Sequence, residues 1–305
     1  MKEFYSHGKL LLSGEYLVLD GALALAVPTR PGQWLRVGDS KTPGLTWKSL
    51  LPDGTPWFEA HFPEGTFAGD KAGGPFPSDT RERLRYFLLK CIEMNPGFAG
   101  TLRHAEVETH LEFPRQWGLG SSSTLVANLA KWAGTDPYAL LGATMGGSGY
   151  DIAAAGSETP IYYQLEGGLP KVGQAPFNPP FSQELFFVYL NEKQDSREGI
   201  SRYRTRHFDK AVALQTASEL TRTMVKAGKI EDFREAMDAH EDLIGGILDM
   251  DPVKKRRFPD YPGSIKSLGA WGGDFILATG DPSHHDYFRK KGYKVIRPYK
   301  DLVLG

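Results

Sequence analysis

The segment Pro114-Arg-Gln-Trp-Gly118-Leu-Gly-Ser-Ser-Ser-Thr124 decides how the chain is read. Before it, residues 105–113 alternate as a predicted strand, with Val107, Thr109 and Leu111 on one face. After it, Leu125–Trp132 has the composition of a helix. A glycine-rich junction between strand and helix has two readings. In one, the glycines let the backbone approach a polyanion, and the helix start offers unpaired N–H groups and the positive end of its dipole. The serine hydroxyls then bond phosphate oxygens or complete a Mg²⁺ shell. In the other, the segment is a tight turn with serine caps. It is not a Walker A loop, because no Gly-x-x-x-x-Gly-Lys sequence is present.

Upstream, Gly8-Lys9 and Gly14-Glu15 punctuate an apolar stretch into short extended runs: Lys9–Leu12, Tyr16–Leu19 and Leu23–Val27. Pro28 and Pro31 are expected to end the third. Glu15 and Asp20 interrupt the stretch and exclude a spanning helix. Lys9 either stabilises charge on a transferring phosphoryl group or is an exposed N-terminal lysine. Glu15 either orients Lys9 or faces solvent in a hairpin. Residues 38–80 read as short strands and loops. Asp79 and Thr80 cap a predicted helix over Arg81–Met94, and Asn95-Pro96-Gly97 stops it.

Downstream, a short helix over Pro137–Ala143 precedes Gly146-Gly-Ser-Gly-Tyr-Asp151-Ile-Ala-Ala-Ala155. Asp151 either accepts a proton from an attacking oxygen or caps a helix beginning at Ile152. Residues 167–180, rich in Gly and Pro, are the best linker candidate, and Phe186–Leu190 reads as a buried strand. Helices are expected over Phe208–Lys226, with Val212, Leu220 and Met224 inward, and over Phe233–Leu248, capped by Asp232. His240 reads as a histidine at the edge of the core. A glycine turn at Gly269-Ala-Trp-Gly-Gly273 leads into a strand over Phe275–Thr279, then a helix over His284–Lys291 and a last strand over Lys294–Pro298. The mixture lacks strict β-α-β alternation and predicts an α+β fold.

Composition sets the outer limits. The 305 residues are 40% hydrophobic and 24% charged, as in an ordinary globular protein. That length corresponds to roughly two domains. Thirty-six basic and 37 acidic residues sum to −1, so no global field draws the chain to nucleic acid or an anionic membrane. The single cysteine, Cys91, allows neither an intrachain disulfide nor a cysteine metal cage. The first nine residues are not followed by a secretory h-region, so a cytoplasmic protein is expected. The 35 glycines show no collagen period, and many fall in the segments quoted above.

Together, GKLLLSGEYLVLDG from residue 8, GLGSSS from 118, GYDIAAA from 149 and KSLGAWGGDF from 266 resemble the ordered motifs of the GHMP kinase superfamily. The resemblance covers residue 8 to about residue 280. It implies a two-domain α+β fold, residues 1–165 and 166–305, with the active site in the interdomain cleft. It also implies a small-molecule kinase using ATP and Mg²⁺. Gly14-Glu15-Tyr16, Gly149-Tyr-Asp-Ile-Ala153 and Gly272-Gly-Asp274 are most similar to phosphomevalonate kinases, so phosphomevalonate is the expected acceptor and mevalonate the alternative. A GHMP-fold relative of weak catalytic power, binding a metabolite or protein, is the alternative of another class. A decarboxylase of the same superfamily ranks below it.

By motif position, the resemblance makes Asp151 the catalytic base and Lys9 the group that neutralises developing charge. Gly118, Leu119, Gly120, Ser121, Ser122 and Ser123 hold the nucleotide, with Ser121 and Ser122 also on the metal. Glu15, Tyr150, Ser196, Arg197, Gly269, Ala270 and Gly272 fall on the acceptor side, and Ser267 helps close the site. Lys193, Arg197 and Arg202 are the candidate cations for an acceptor phosphate. A monomer or homodimer is expected, without nucleic-acid or membrane partners. Three departures stand out. Trp117 interrupts the start of the phosphate loop. Tyr138-Ala-Leu-Leu141 lacks the carboxylate that the family carries on a helix there, leaving Asp136 as the only nearby acid. Trp271 occupies a place where the family is small.

Overall fold

A computed structural model describes residues 1–192, 196–269, 271 and 273–305. In chain order the strands and helices are β1 (Lys2–Ser13), β2 (Ala24–Asp39), β3 (Gly44–Leu50), β4 (Pro56–Phe62), α1 (Thr80–Met94), β5 (His104–Leu111), α2 (Ser121–Ala133), α3 (Pro137–Gly142) and α4 (Tyr150–Ala155). They continue as β6 (Ile161–Glu166), β7 (Leu169–Gln174), β8 (Leu185–Tyr189), α5 (Ser196–Arg204), α6 (Lys210–Lys226), α7 (Ile230–Leu248) and α8 (Val253–Arg257). The last are β9 (Ile265–Ser267), β10 (Phe275–Thr279), α9 (His285–Lys290), β11 (Ile296–Pro298) and α10 (Tyr299–Leu302). The fold is α+β, as the mixed pattern predicts. Two compact units emerge: residues 1–8, 31–115 and 119–156, and residues 9–30, 116–118 and 157–305.

In the first unit the strand order is β4-β3-β5-β2. β3 and β5 run parallel, with Leu45 opposite Ala105, while β5 is antiparallel to β2, with Leu111 opposite Gln33. Inward side chains of these strands (Leu35, Trp47, Phe62, Val107) pack with Leu84, Phe87 and Leu88 of α1 and Val126 and Leu129 of α2. Burying each such side chain is worth about 1.5–3 kcal/mol. α1 begins where expected, because the Asp79 carboxylate accepts the Glu82 N–H at 3.0 Å. A buried polar set fixes α2. Asn128 donates to the Gln33 carbonyl at 2.8 Å and accepts from Ser6 Oγ at 2.8 Å, and Thr124 Oγ1 donates to Gln33 Oε1 at 2.6 Å.

In the second unit a sheet of order β11-β8-β10-β9 is antiparallel throughout, with Phe275 opposite Tyr189 and Ile276 opposite Ser267. A hairpin of β6 and β7 turns at Gly167-Gly168, both at positive φ (59° and 82°), a geometry glycine supplies without strain. Residues 169–174 of the expected linker are therefore a strand. Residues 24–26 of β2 pair with β6.

Four local expectations change. β2 continues through Pro28 and Pro31, both of which fall between its ladders with β6 (24–26) and β5 (33–39), so the backbone donor that proline lacks is not missed by either ladder. Tyr16–Leu19 is not extended: Tyr16 has φ 59° and Leu17–Asp20 forms a single 3₁₀ turn. On α6, Val212 points outward at 58% exposure, and Ala213, Ala217, Thr221 and Met224 are the buried side. The small residues there let the helix approach its neighbours closely, and Asp209, which accepts the Val212 N–H at 3.1 Å, begins it. α7 begins at Ile230, which puts Asp232 in its first turn instead of at the cap.

Candidate active site

Gly118–Gly120 form a glycine turn that opens α2. Gly118 and Gly120 adopt left-handed φ of 66° and 88°, and Gly120 caps α2. Ser121 and Ser122 are its first two residues, so their N–H groups lie among the donors left unpaired at a helix start. Ser122 is exposed and Ser121 half-buried. Ser123 is buried, and its hydroxyl turns back onto the Gly120 carbonyl at 2.8 Å. The Leu119 side chain is wholly buried, so only its backbone faces the turn.

In the first unit Gly149 (φ 87°) starts α4, and the half-buried Tyr150 and Asp151 follow at once. Asp151 lies inside the first turn, with Oδ1 3.2 Å from the Ile152 N–H, so the helix begins before Ile152. Burial raises the pKa of the Tyr138 phenol, and the charges of Asp136 and Asp151 push it further up. Asp136 caps α3, accepting from Tyr138 N at 3.1 Å and Ala139 N at 3.3 Å.

In the second unit, Lys9 is partly buried and its Nζ donates to the Gly118 carbonyl at 3.2 Å. This tie joins residues 109 positions apart in sequence. Glu15 does not face solvent. It is 1% exposed and its Oε1 lies 2.5 Å from Nζ of the fully buried Lys266. Lys266 also approaches Glu241 Oε1 at 3.4 Å. Glu241 accepts from Ser267 Oγ at 2.9 Å and from Trp271 Nε1 at 3.0 Å. Tyr16 OH accepts the Trp271 N–H at 3.1 Å, and the Tyr16 ring stacks on Tyr203 at 5.8 Å.

His240 is not at an edge but fully buried. Its Nε2 accepts the Gly14 N–H at 2.9 Å, which requires the proton of the neutral ring on Nδ1. Burial, then the Lys266 charge, holds His240 well below the usual histidine range. Burial raises both Glu15 and Glu241 despite the Lys266 ammonium, because two carboxylates share one cation away from water.

These contacts tie Gly14-Glu15-Tyr16 to Ser267 and Trp271. Lys266, Glu241, His240 and Tyr203 are absent from the residues expected from sequence, and only Lys266, three positions before Gly269, lies in a quoted motif. Trp271 is a core residue. Trp117 packs edge-on against Phe275 (5.5 Å, 88°), with the Arg297 guanidinium 5.4 Å over its ring. Gly269 has φ 67°. Lys193, Ala270 and Gly272 lie outside the described residues, as do the side chains of Ser196 and Arg197 at the start of α5. Arg202 is exposed on α5. Among the described residues no group of three or more His, Cys, Asp or Glu could hold a metal ion. Nor is any helix there long and apolar enough to cross a membrane.

No family model matches the sequence, and no sequence relative is found among curated proteins. Solved structures do match over nearly the whole chain. Streptococcus pneumoniae phosphomevalonate kinase in complex with phosphomevalonate and AMPPNP has a TM-score of 0.69 at 18% identity, covering 97% of this chain and 99% of that one. L. major mevalonate kinase in complex with R-mevalonate has a TM-score of 0.64 at 15% identity, with 97% and 94% covered. Lactococcus lactis galactokinase complexed with galactose has 0.65 at 15% identity, with 95% and 88% covered. With this likeness beside the motif geometry, the chain has the GHMP kinase fold.

Proposed function

We propose that the protein is a small-molecule kinase that transfers the γ-phosphoryl group of ATP to phosphomevalonate, in the cytoplasm. The observation that carries this reading is the bond from the Lys9 ammonium to the Gly118 carbonyl. It fixes a cation at the first glycine of a turn whose next residues open a helix. The fold shared with phosphomevalonate and mevalonate kinases supports the reaction class. The Gly14-Glu15-Tyr16, Gly149-Tyr-Asp-Ile-Ala153 and Gly272-Gly-Asp274 sequences support phosphomevalonate over mevalonate.

In this reading the N–H groups of Ser121 and Ser122, with the Ser122 hydroxyl, bind the nucleotide phosphates, and Lys9 neutralises charge on the transferring group. Asp151 accepts the proton of the attacking acceptor oxygen. Glu15, held by Lys266, keeps the Gly14–Tyr16 turn in shape next to Trp271 instead of orienting Lys9. The described residues provide hydroxyls but no carboxylate cage, so Mg²⁺ would be held chiefly by the nucleotide itself, with Ser121 and Ser122 as protein ligands. When bound it supplies charge neutralisation of the phosphates.

The test is ATP consumption under Mg²⁺ with phosphomevalonate, mevalonate, galactose and homoserine as acceptors. Turnover with phosphomevalonate above the others is expected. Turnover with mevalonate alone would change the acceptor, and turnover with none would overturn the reading.

A further inference from the structure

A cavity of about 390 Å³ in the second unit is bordered by the β6–β7 hairpin, Leu23 and the last turns of α6. Tyr162 and Gly173 stand directly opposite each other on the hairpin, as do Gln164 and Lys171, so these four share the face that borders the cavity. Gly173 contributes no side chain, and a Cβ added to it would meet nothing within 4 Å. Leu23 and the half-buried Tyr162 supply apolar wall, and Val172, 45% exposed, adds apolar surface at the rim. The Leu23 N–H donates to Ser218 Oγ at 2.9 Å, which seats α6 here. Arg222 and Lys226 follow Ser218 at steps of four, so they lie on the same helix face, and both line the cavity.

The charges around this cavity do not cancel. Lys171 pairs with Glu166 at 2.7 Å, but neither Arg222 nor Lys226 has an ion-pair partner among the described residues, and no carboxylate lines the cavity. Burial raises the Tyr162 phenol, and the nearby Arg222 charge pulls it partly back down. Two uncompensated cations beside apolar walls match a ligand with a doubly charged head and an apolar body. A phosphate monoester carries about −1.5 to −2 charges at neutral pH, and the arginine fork takes two of its oxygens at once. The volume falls in the range of small-molecule sites, roughly 300–1,000 Å³, and exceeds what a phosphate group alone fills. We infer that this cavity binds a phosphate monoester with an apolar body, through Arg222 and Lys226 at its head and Leu23 and Tyr162 along its body. The site uses none of the residues proposed to carry phosphoryl transfer.

The experiment is calorimetric titration of the full chain with hexyl phosphate, inorganic phosphate and 1-hexanol. It compares the wild type, the double variant Arg222→Gln/Lys226→Gln, and Gly173→Leu. All three positions are exposed and Gly173 is not at positive φ, so the variants should keep the wild-type Tm. The wild type is expected to bind one hexyl phosphate per chain, about tenfold or more tighter than either inorganic phosphate or hexanol, because only hexyl phosphate satisfies both the cations and the apolar wall. The double variant should lose about tenfold or more of that affinity with the charges that hold the head. Gly173→Leu should lose about as much, because its side chain enters the open space beside Tyr162. A wild type that binds hexyl phosphate no more tightly than inorganic phosphate overturns the inference. So does wild-type affinity in either variant, which would place the binding elsewhere on the chain.

Discussion

Glu15 and Lys266, 251 residues apart in sequence, form an ion pair of 2.5 Å in which both side chains have no solvent exposure. Glu241 is the second carboxylate on the same ammonium. Lys266→Met should therefore leave two buried carboxylates without a counter-charge and cost about 3–5 kcal/mol in urea unfolding. Adding Glu15→Gln to that variant should recover part of the loss, because one of the stranded charges is then gone. Equal stability of Lys266→Met and wild type would show that the cluster does not hold this part of the fold.

The pH dependence of the cluster has a definite sign. Burial raises Glu241 above its ordinary value of 4.5, so its contribution to stability is complete below that value and is lost as pH rises through the raised one. His240, lowered by burial, works in the opposite direction, but it is common to wild type and Glu241→Gln and cancels in their difference. Thermal unfolding at about pH 5 and pH 8 should show the Tm of Glu241→Gln rising relative to wild type as pH increases. A difference constant across that range contradicts the assignment.

Asn128 sits at the centre of the polar set that fixes α2. Asn128→Ala removes the amide donor to the buried Gln33 carbonyl and the acceptor of the Ser6 O–H, leaving Ser6 Oγ only its bond from Lys131 Nζ, and should cost about 1–3 kcal/mol. Denaturant unfolding measures it, and a loss near zero would mean that these groups find other partners.

The elements whose causes are local can be read directly from the chain. Asp79 before Thr80, with Leu84, Phe87 and Leu88 at helical spacing, is enough to locate α1. The alternation of Val107, Thr109 and Leu111 is enough for β5. The glycines at 118, 120 and 149 mark left-handed turns that start helices, and those turns are present. What local pattern misses is decided by distant partners. His240 looks like an edge histidine until Gly14, 226 residues away, donates to it. Glu15 looks like a hairpin charge until Lys266 is beside it, and Trp271 looks like an obstruction until Glu241 accepts its Nε1–H. The burial of Ala213 and Ala217 in place of Val212 reflects how closely α6 packs, which side-chain hydrophobicity does not encode.

Cys91 offers a check on the interior of the first unit. Burial pushes its thiol up to about 12, so almost no thiolate exists at neutral pH. The native protein should not react with a disulfide thiol reagent, and one thiol per chain should appear on unfolding in urea. Rapid labelling of the native state would show that the core around α1 opens readily.

The most direct measurement of the central claim is transfer of the γ-phosphoryl group from ATP to phosphomevalonate in a single turnover, comparing wild type with Asp151→Asn. The account predicts transfer by the wild type. In the variant it predicts a rate lower by about 10²–10⁴-fold, with nucleotide affinity unchanged, because only the proton acceptor has been removed. Transfer by Asp151→Asn within a few-fold of wild type would contradict it.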